Sequence, residues 1–430
     1  MADKKSEIKK PTKMNAVNMA NVSVTDAQQP KFPIWFGIAM TIGPLVWLGP
    51  AGAVRNTLLP QYFSQIDPSG KVQAIAVLAT VTSVVAAIAN VVFGALSDLT
   101  RSRMGKRKPW ILFGSLIQNG LIVLVANLTS IWSIVIVWGI VAAAENAVAS
   151  SMVAQQADRI APKWRGTVST FWALGYTANN ITGIIAAQYL GNVKLGMYVL
   201  AGMGMVLGIL HVLLTNEKSN VNEPREPFNW KTIWEHFAFP TAGSHDYWFA
   251  VAGKFCSNMG GMLIGTYLLY ILTDYIKMNQ GQAGKMMAMY STITLIGGLI
   301  FNAISGPIAD KMGRLKLPVA VSVAIMGIAQ LFPFFDAAPW TIYVFAIVSS
   351  IASGIYGAVD GALNLAVLPN KETAGKDMGF LNLSNTLSQI AAAWVASGVV
   401  LTFGYKAIFP AAFLLSLAGA ILTWRIKAVR

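Results

Sequence analysis

The sequence predicts an all-α polytopic membrane protein, twelve transmembrane helices in two six-helix bundles, and three observations predict it. The chain of 430 residues is 55% hydrophobic and only 12% charged, with a mean hydropathy of +0.56, whereas soluble domains carry about 25% charged residues. Apolar runs of roughly 20 residues, long enough to cross a hydrocarbon core, recur along the whole chain. One charged punctuation also occurs twice, half a chain apart: Gly94-Ala-Leu-Ser-Asp98 with Gly105-Lys106-Arg107-Lys108, then Gly306-Pro-Ile-Ala-Asp310-Lys-Met-Gly313-Arg314. The runs are continuously apolar rather than alternating, which excludes a membrane β-barrel.

Bounded by charge, glycine or proline, the spans fall near 33–59, 74–97, 110–127, 131–154, 166–190 and 195–215 in the first half. In the second half they fall near 246–273, 286–309, 317–335, 340–365, 378–402 and 406–425. Each copy of the punctuation closes the second span of its own half, so the repeat is one of six-helix bundles. The expected organisation is a disordered cytoplasmic tail (1–32), an N-terminal bundle (33–215), a cytoplasmic linker (216–244) and a C-terminal bundle (245–430). Within the linker, Trp230, Ile233, Trp234 and Phe237 form a helical stripe suited to lying in the membrane interface.

The formal charge of +14 is a matter of topology rather than of a nucleic-acid partner. With the N-terminus inside, only Arg55, Lys71, Lys194, Lys277, Lys285 and Lys406 fall on the outer side, and Lys254 falls within a span. The remaining lysines and arginines all face the cytoplasm, as the positive-inside rule demands, and both termini with them. The single cysteine, Cys256, excludes a disulfide framework, and three scattered histidines give no metal-ligand spacing. The lysine-rich start has no apolar core of a cleavable signal. Nor is there a nucleotide-binding loop, a nucleophile elbow or a zinc-protease motif, so neither an enzyme nor a primary pump is indicated, and no cofactor is expected.

The residues Gly94 to Lys108 resemble the loop-2/3 motif of the major facilitator superfamily, and Gly306 to Lys316 resemble its loop-8/9 counterpart. The longer spacing of the first copy, with Thr100-Arg101-Ser102-Arg103 inserted, is similar to the glycoside–pentoside–hexuronide and sucrose symporter branch. Asp158-Arg159, Pro162 and Arg165-Gly166 resemble the loop-4/5 signature, and Leu368-Pro369 with Gly375-Lys376-Asp377-Met378-Gly379 its second-half counterpart. The resemblance implies a secondary transporter that works by alternating access, with its site at midplane between the halves. The expected gating residues are Gly94, Asp98, Gly105, Lys106, Arg107, Gly306, Asp310, Gly313 and Arg314. Gly94 is expected to let another helix approach closely, and Asp98 to pair with loop cations only when the cytoplasmic side is closed.

Ionisable groups inside the membrane are costly and so mark function. Glu145 lies at mid-depth of span 4 and is the proton-coupling candidate; the alternative is a neutral Glu hydrogen-bonded to a neighbouring helix. Lys254 in span 7 is read as a partner for an acid or for an anionic substrate. Arg55 and Asp360 sit shallower. Members resembling the melibiose carrier build a sodium site from acids on helix 2, where this chain has Ala86 and Asn90, so a proton is expected rather than sodium. Asn382, Asn385 and Gln389 share one face of span 11. With Asn146, Asn179, Asn180 and Asn258 they complete the substrate-binding candidates, since amides suit a polyhydroxylated ligand.

The sequence therefore points to a monomeric transporter in the lipid bilayer, carrying a sugar or glycoside with protons. The alternatives are the same fold carrying an amphipathic organic anion or exporting drugs, and, from a different class, a membrane receptor without transport.

Overall fold

The computed structural model describes residues 24–222, 245–312, 315–367 and 374–427. Its helices are α1 (Ile34–Ile66), α2 (Lys71–Leu99), α3 (Lys108–Val125), α4 (Ile131–Arg159), α5 in two pieces (Arg165–Ala178 and Asn180–Gln188) and α6 (Val193–Leu214). The second half supplies α7 (His245–Tyr275), α8 (Gln280–Met312), α9 (Lys316–Phe335), α10 (Pro339–Ala366), α11 (Ala374–Phe403) and α12 (Ile408–Trp424). Each of the twelve expected spans has a helical counterpart, eleven of them long and apolar enough to cross a membrane and the fifth in two shorter pieces. The described residues contain no strand. Several helices outrun the expected spans at their polar ends, because a helix continues past the hydrocarbon until a cap or turn stops it. The turn before α2 shows this: Asp67 Oδ1 accepts from the N–H groups of Ser69 and Gly70, both at 3.0 Å.

Four helices are interrupted, and each interruption has a local cause or a local consequence. α9 breaks at Leu331, two residues before Pro333, which brings no N–H to the helix. α5 breaks at Asn179, where side chains take over backbone carbonyls: Thr182 Oγ1 donates to Asn179 O at 2.7 Å and Asn180 Nδ2 to Thr177 O at 3.0 Å. α1 stays helical through Gly43-Pro44 and Gly49-Pro50 but widens to a π-helical turn over Val54–Leu58. α7, its counterpart in the other half, widens in the same way over Ile271–Tyr275. Such turns are uncommon and are often kept at functional positions.

The two halves share one core at the end opposite the termini. Leu58, Phe63, Ile75 and Trp138 of the first half pack there with Leu263, Tyr267, Tyr270 and Ile271 of the second. Towards the termini the core splits into separate clusters, around Ile111, Val148 and Met152 and around Phe36, Met40 and Val168 in the first half, and around Tyr247, Val359 and Leu363 in the second. The hydrogen bonds between halves follow the same division. Among the described residues, Tyr270 Oη to Pro60 O (2.9 Å), Tyr267 Oη to Val72 O (3.0 Å), Trp394 Nε1 to Thr80 Oγ1 (2.7 Å) and Thr294 Oγ1 to Asn180 Oδ1 (3.1 Å) all lie between midplane and the far end. Among the described residues the halves are thus joined on one side and share neither a core cluster nor a hydrogen bond towards the termini. Large apolar side chains such as Trp132, Ile136, Leu213 and Leu414 stay exposed around the perimeter, as a surface solvated by lipid requires.

Two expectations need correction or placing. Residues 26–32, expected within a disordered tail, dock on the turn between α4 and α5: Ala161 N donates to Gln29 Oε1 at 2.9 Å, Lys163 N to Asp26 Oδ1 at 3.1 Å, and the Phe32 ring stacks on Phe171. The linker stripe Trp230, Ile233, Trp234 and Phe237 lies outside the described residues. Of the methionines on α8, Met286 and Met287 are buried and Met289 is exposed, and Met287 also lines a cavity between the halves.

Candidate functional site

The cavity between the halves is built around Met262 of α7, which lines each of its three lobes. A polar lobe of about 250 Å³ is walled by Asn56, Asn179, Asn180 and Thr182 from the first half and by Thr266 and Ser291 from the second. A smaller lobe of about 100 Å³ is walled by Arg55, Thr82 and Ser83 against Thr266 and Gln389. The third, of about 270 Å³, lies within the second half between α7, α8, α9 and α10. Small-molecule sites typically enclose roughly 300–1,000 Å³, which no single lobe reaches; the first two share Asn56, Met262 and Thr266, and the polar and third lobes share Met262 and Tyr290.

The π-turn of α1 places Arg55 at the small lobe, facing Glu145 on α4. Nη1 of Arg55 lies 3.8 Å from Oε2 of Glu145. Glu145 is only 4% exposed, and that same oxygen has no hydrogen-bond partner among the described residues. The contact is therefore a loose ion pair rather than a hydrogen-bonded one. The next residue, Asn146, accepts from Asn90 Nδ2 at 3.4 Å, so the amide standing where the sodium-site acids were sought is spent on a neighbouring helix.

The second half holds a different pair. Lys254 Nζ lies 2.6 Å from Oδ2 of Asp360, and Asn364 Nδ2 donates to that oxygen at 2.8 Å. Of the two readings of Lys254, the structure supplies the acid partner. Asn258 Nδ2 donates to Asn385 Oδ1 at 2.5 Å, tying α7 to α11. The structure thus brings Arg55, Asn179, Asn180, Asn258 and Gln389 to the cavity wall, with Glu145 buried behind Arg55. It pairs Lys254 with Asp360, Asn258 with Asn385 and Asn146 with Asn90. The side chain of Asn382 lies outside the described residues.

The charged loop after α2 forms a brace within the first half. Arg107 pairs with Asp98, hydrogen-bonds Ser97, and sets its Nε 3.0 Å from Oδ2 of Asp158, which also receives Lys106 Nζ at 3.2 Å. Glu217, two residues into the linker, covers the start of α3: Oε1 accepts from the N–H groups of Lys106 and Arg107, each at 3.1 Å, and Oε2 from Lys108 at 3.0 Å. A carboxylate on exposed helix N–H groups is favourable both as a cap and against the helix dipole. Gly105 is required here, since its φ of +91° lies in the left-handed region and an added Cβ would run into Glu217.

Asp98 meets the loop cation Arg107 within the first half. One expectation about this motif is corrected. Gly94 was expected to admit a close helix, yet a Cβ there would find nothing within 4 Å. Gly306 and Asp310 lie on α8 with side chains outside the described residues, and Gly313 and Arg314 also lie outside them. Sequence reasoning missed Glu217, Asp158 as an ion-pair acid, and Asn220, whose side chain accepts from Ser102 N at 2.9 Å and donates to Thr100 O at 2.8 Å. Their available signal was that acids and an amide sat among cations on one face.

At the joined end, Lys71 Nζ lies 2.6 Å from Oδ2 of Asp274 across the two halves and 4.7 Å over the Tyr270 ring. Tyr405 Oη donates to the same Asp274 oxygen at 3.0 Å. Asp274 belongs to the π-turn of α7 as Arg55 belongs to that of α1.

A family model described as Major Facilitator Superfamily matches residues 51–268 and 250–429. The chain is 22% identical over 410 residues to the multidrug resistance protein MdtG of Serratia proteamaculans (strain 568), covering 91% of this chain and 92% of that protein. Among solved structures, a mutant of the nucleoside transporter NupG matches with a TM-score of 0.68 at 14% identity, over 92% of this chain and 98% of that one. The human organic anion transporter MFSD10 (TETRAN) matches with a TM-score of 0.61 at 14% identity, over 91% and 98%. At such identities the two structures speak for the fold alone.

Proposed function

Because the chain belongs to the Major Facilitator Superfamily, and so is a multi-pass membrane transporter rather than an enzyme, we propose that its cargo is a small polar solute, a sugar or glycoside, moved with protons across the cytoplasmic membrane. The observation that carries this reading is the polar lobe: amides and hydroxyls from α1, α5, α7 and α8 surround one volume between the halves, offering donors and acceptors on every side. A polyhydroxylated ring needs that mixture, and an apolar drug does not.

The proton is assigned to Glu145. A carboxylate buried beside a cation, with one oxygen lacking any hydrogen bond, is a site where a proton and a cation compete for the same atom. Protonation of Glu145 frees Arg55, whose guanidinium already borders the small lobe, to donate to a sugar hydroxyl. Proton and substrate binding are thereby linked through one residue, as symport requires. Sodium is not assigned, because α2 offers Ala86 and Asn90 and no carboxylate where a sodium site would need one. The brace around Arg107 and Asp158 keeps the end of α2 fixed to α3 and α4, so that the first half moves as a unit. The lysine and arginine bias supports cytoplasmic termini, and on that reading the described state is inward-facing.

Of the alternative cargoes, an organic anion is disfavoured because Arg55 and Lys254 each already face a carboxylate. Drug export has one observation in its favour, the methionine and aromatic lining of the third lobe, and MdtG is named for it. The test is substrate-driven proton movement in sealed proteoliposomes, read with a pH dye over a panel of sugars, glycosides, organic anions and lipophilic cations. A pH change with the sugar class alone, abolished by Glu145→Gln, is the expected result. A response to lipophilic cations alone would replace the reading with drug export.

A further inference from the structure

The third lobe is unlike the polar one, and it lies within the second half alone. Val323, Met326 and Gln330 present one face of α9, Phe345, Ser349, Ser353 and Tyr356 one face of α10, and Tyr290 of α8 forms the wall shared with the polar lobe. Tyr290 and Phe345 are stacked, with centroids 6.1 Å apart and planes inclined by 21°. Three buried polar atoms here lack partners among the described residues: the amide nitrogen of Gln330, the hydroxyl of Ser349 and the hydroxyl of Tyr356. Gln330 is fully buried and Ser349 is 7% exposed. The Gln330 oxygen is already engaged by Ser416 at 3.1 Å. Tyr356 lies close enough to Asp360 to feel its charge, yet is left without a well-aligned hydrogen bond.

Buried polar groups are nearly always paired, and each exception calls for a partner. Three exceptions around one volume, beside a stacked aromatic pair, describe a slot for something flat with a polar edge. Resting on the reading of the polar lobe as a sugar site, we propose that the ligand is a conjugate: a polyhydroxylated ring in the polar lobe, joined to a planar aromatic ring that enters the third lobe past Met262. The aromatic face of Tyr290 and the thioether of Met262 flank the flat ring, and Gln330, Ser349 and Tyr356 meet its polar edge. Gln330 supplies a donor only, so the ring carries at least one acceptor. Nucleosides and glycosides of phenolic compounds both have this chemistry.

Binding to the purified protein in nanodiscs tests this, with uridine and adenosine as one arm, 4-nitrophenyl glycosides as another, and the matching free monosaccharides as reference. The expected result is that one conjugate class binds about tenfold or more tightly than its free sugar, the increment a stacked, edge-bonded ring supplies. Ser349→Leu, which fills the slot, removes that advantage and leaves free-sugar affinity unchanged. Tyr356→Phe, which keeps the shape, weakens only conjugates with a polar ring edge, by a few-fold. Equal affinity for conjugates and free sugars, or equal loss of both in Ser349→Leu, overturns the slot and leaves the sugar reading standing. Binding of a bare ring such as 4-nitrophenol or uracil, lost in Ser349→Leu while no sugar binds, keeps the slot and removes the sugar reading. Silence from every ligand removes both.

Discussion

Each half of the molecule pairs a cation on its first helix with an acid on its fourth, and the two pairs are built differently. In the first half Arg55 and Glu145 face each other at 3.8 Å beside the cavity, with a carboxylate oxygen that accepts no hydrogen bond. In the second half Lys254 and Asp360 meet at 2.6 Å, Asn364 adds a hydrogen bond to the same oxygen, and neither side chain is more than 13% exposed. The helices in the repeat correspond, although Arg55 lies late in α1 and Lys254 early in α7, and the first pair is left incomplete while the second is finished. A finished pair holds helices together. An incomplete one beside a cavity leaves an oxygen for a proton.

The difference should show most strongly in stability. Asp360→Asn leaves Lys254 buried without its counter-charge, and removing one member of a buried pair costs about 3–5 kcal/mol. Unfolding in detergent, followed by circular dichroism against denaturant, reads this directly. Adding Lys254→Met should recover most of the loss, since replacing a whole buried pair is close to neutral. If the double variant is no more stable than the single one, Asp360 serves something other than Lys254. Asn364→Ala should cost about 2 kcal/mol in the same assay, the value of a hydrogen bond to a charged acceptor. A loss below about 0.5 kcal/mol would mean that the Asn364 contact adds little to the pair.

Glu145→Gln should behave in the opposite sense. Its oxygen makes no hydrogen bond, and Arg55 borders a cavity into which its charge can be hydrated, so the expected loss of stability is under about 1 kcal/mol. Its effect belongs in coupling: substrate-driven proton movement disappears, while exchange of labelled for unlabelled substrate across the membrane persists. Loss of exchange together with coupling would place Glu145 in substrate binding instead, and a stability loss like that of Asp360→Asn would make the two pairs equivalent after all.

Some of this contrast could be read from the sequence and some could not. Twelve spans were legible because a hydrocarbon core imposes length and composition on any helix that crosses it, and the repeated Gly94 and Gly306 segments marked the halves. Glu145 was legible because an acid at mid-depth has few structural excuses. Its partner was not: Arg55 lies some ninety residues away, and only the π-turn and the packing of α1 near α4 turn it inward. Likewise Glu217 reads as one acid in a polar linker until the chain doubles back over the start of α3. Gly105 could be singled out in a motif, but the reason for a glycine, a positive φ against the Glu217 side chain, is a fact of three-dimensional structure. The slot around Ser349 was missed altogether, because serine and glutamine on apolar helices carry no pattern until α9 and α10 bring their faces together.

A third ion pair sharpens the comparison, because it joins the halves to each other. Lys71 and Asp274 lie 2.6 Å apart but are partly exposed, at 15% and 28%, and Asp274 also receives the Tyr405 hydroxyl. Within one half a pair contributes to folding; across halves it contributes to the balance between states, since it must break when the joined end opens. Lys71→Met should therefore leave unfolding almost unchanged and shift that balance by about 1 kcal/mol, roughly fivefold. Spin labels at Gln65→Cys and Gln282→Cys, both exposed on the joined end, in a Cys256→Ser background, read the shift as a growing population of longer distances. An unchanged distance distribution would assign the closed end to its apolar core and to the Tyr267 and Tyr270 hydrogen bonds, leaving Lys71 to stabilise Asp274 inside a contact that holds without it.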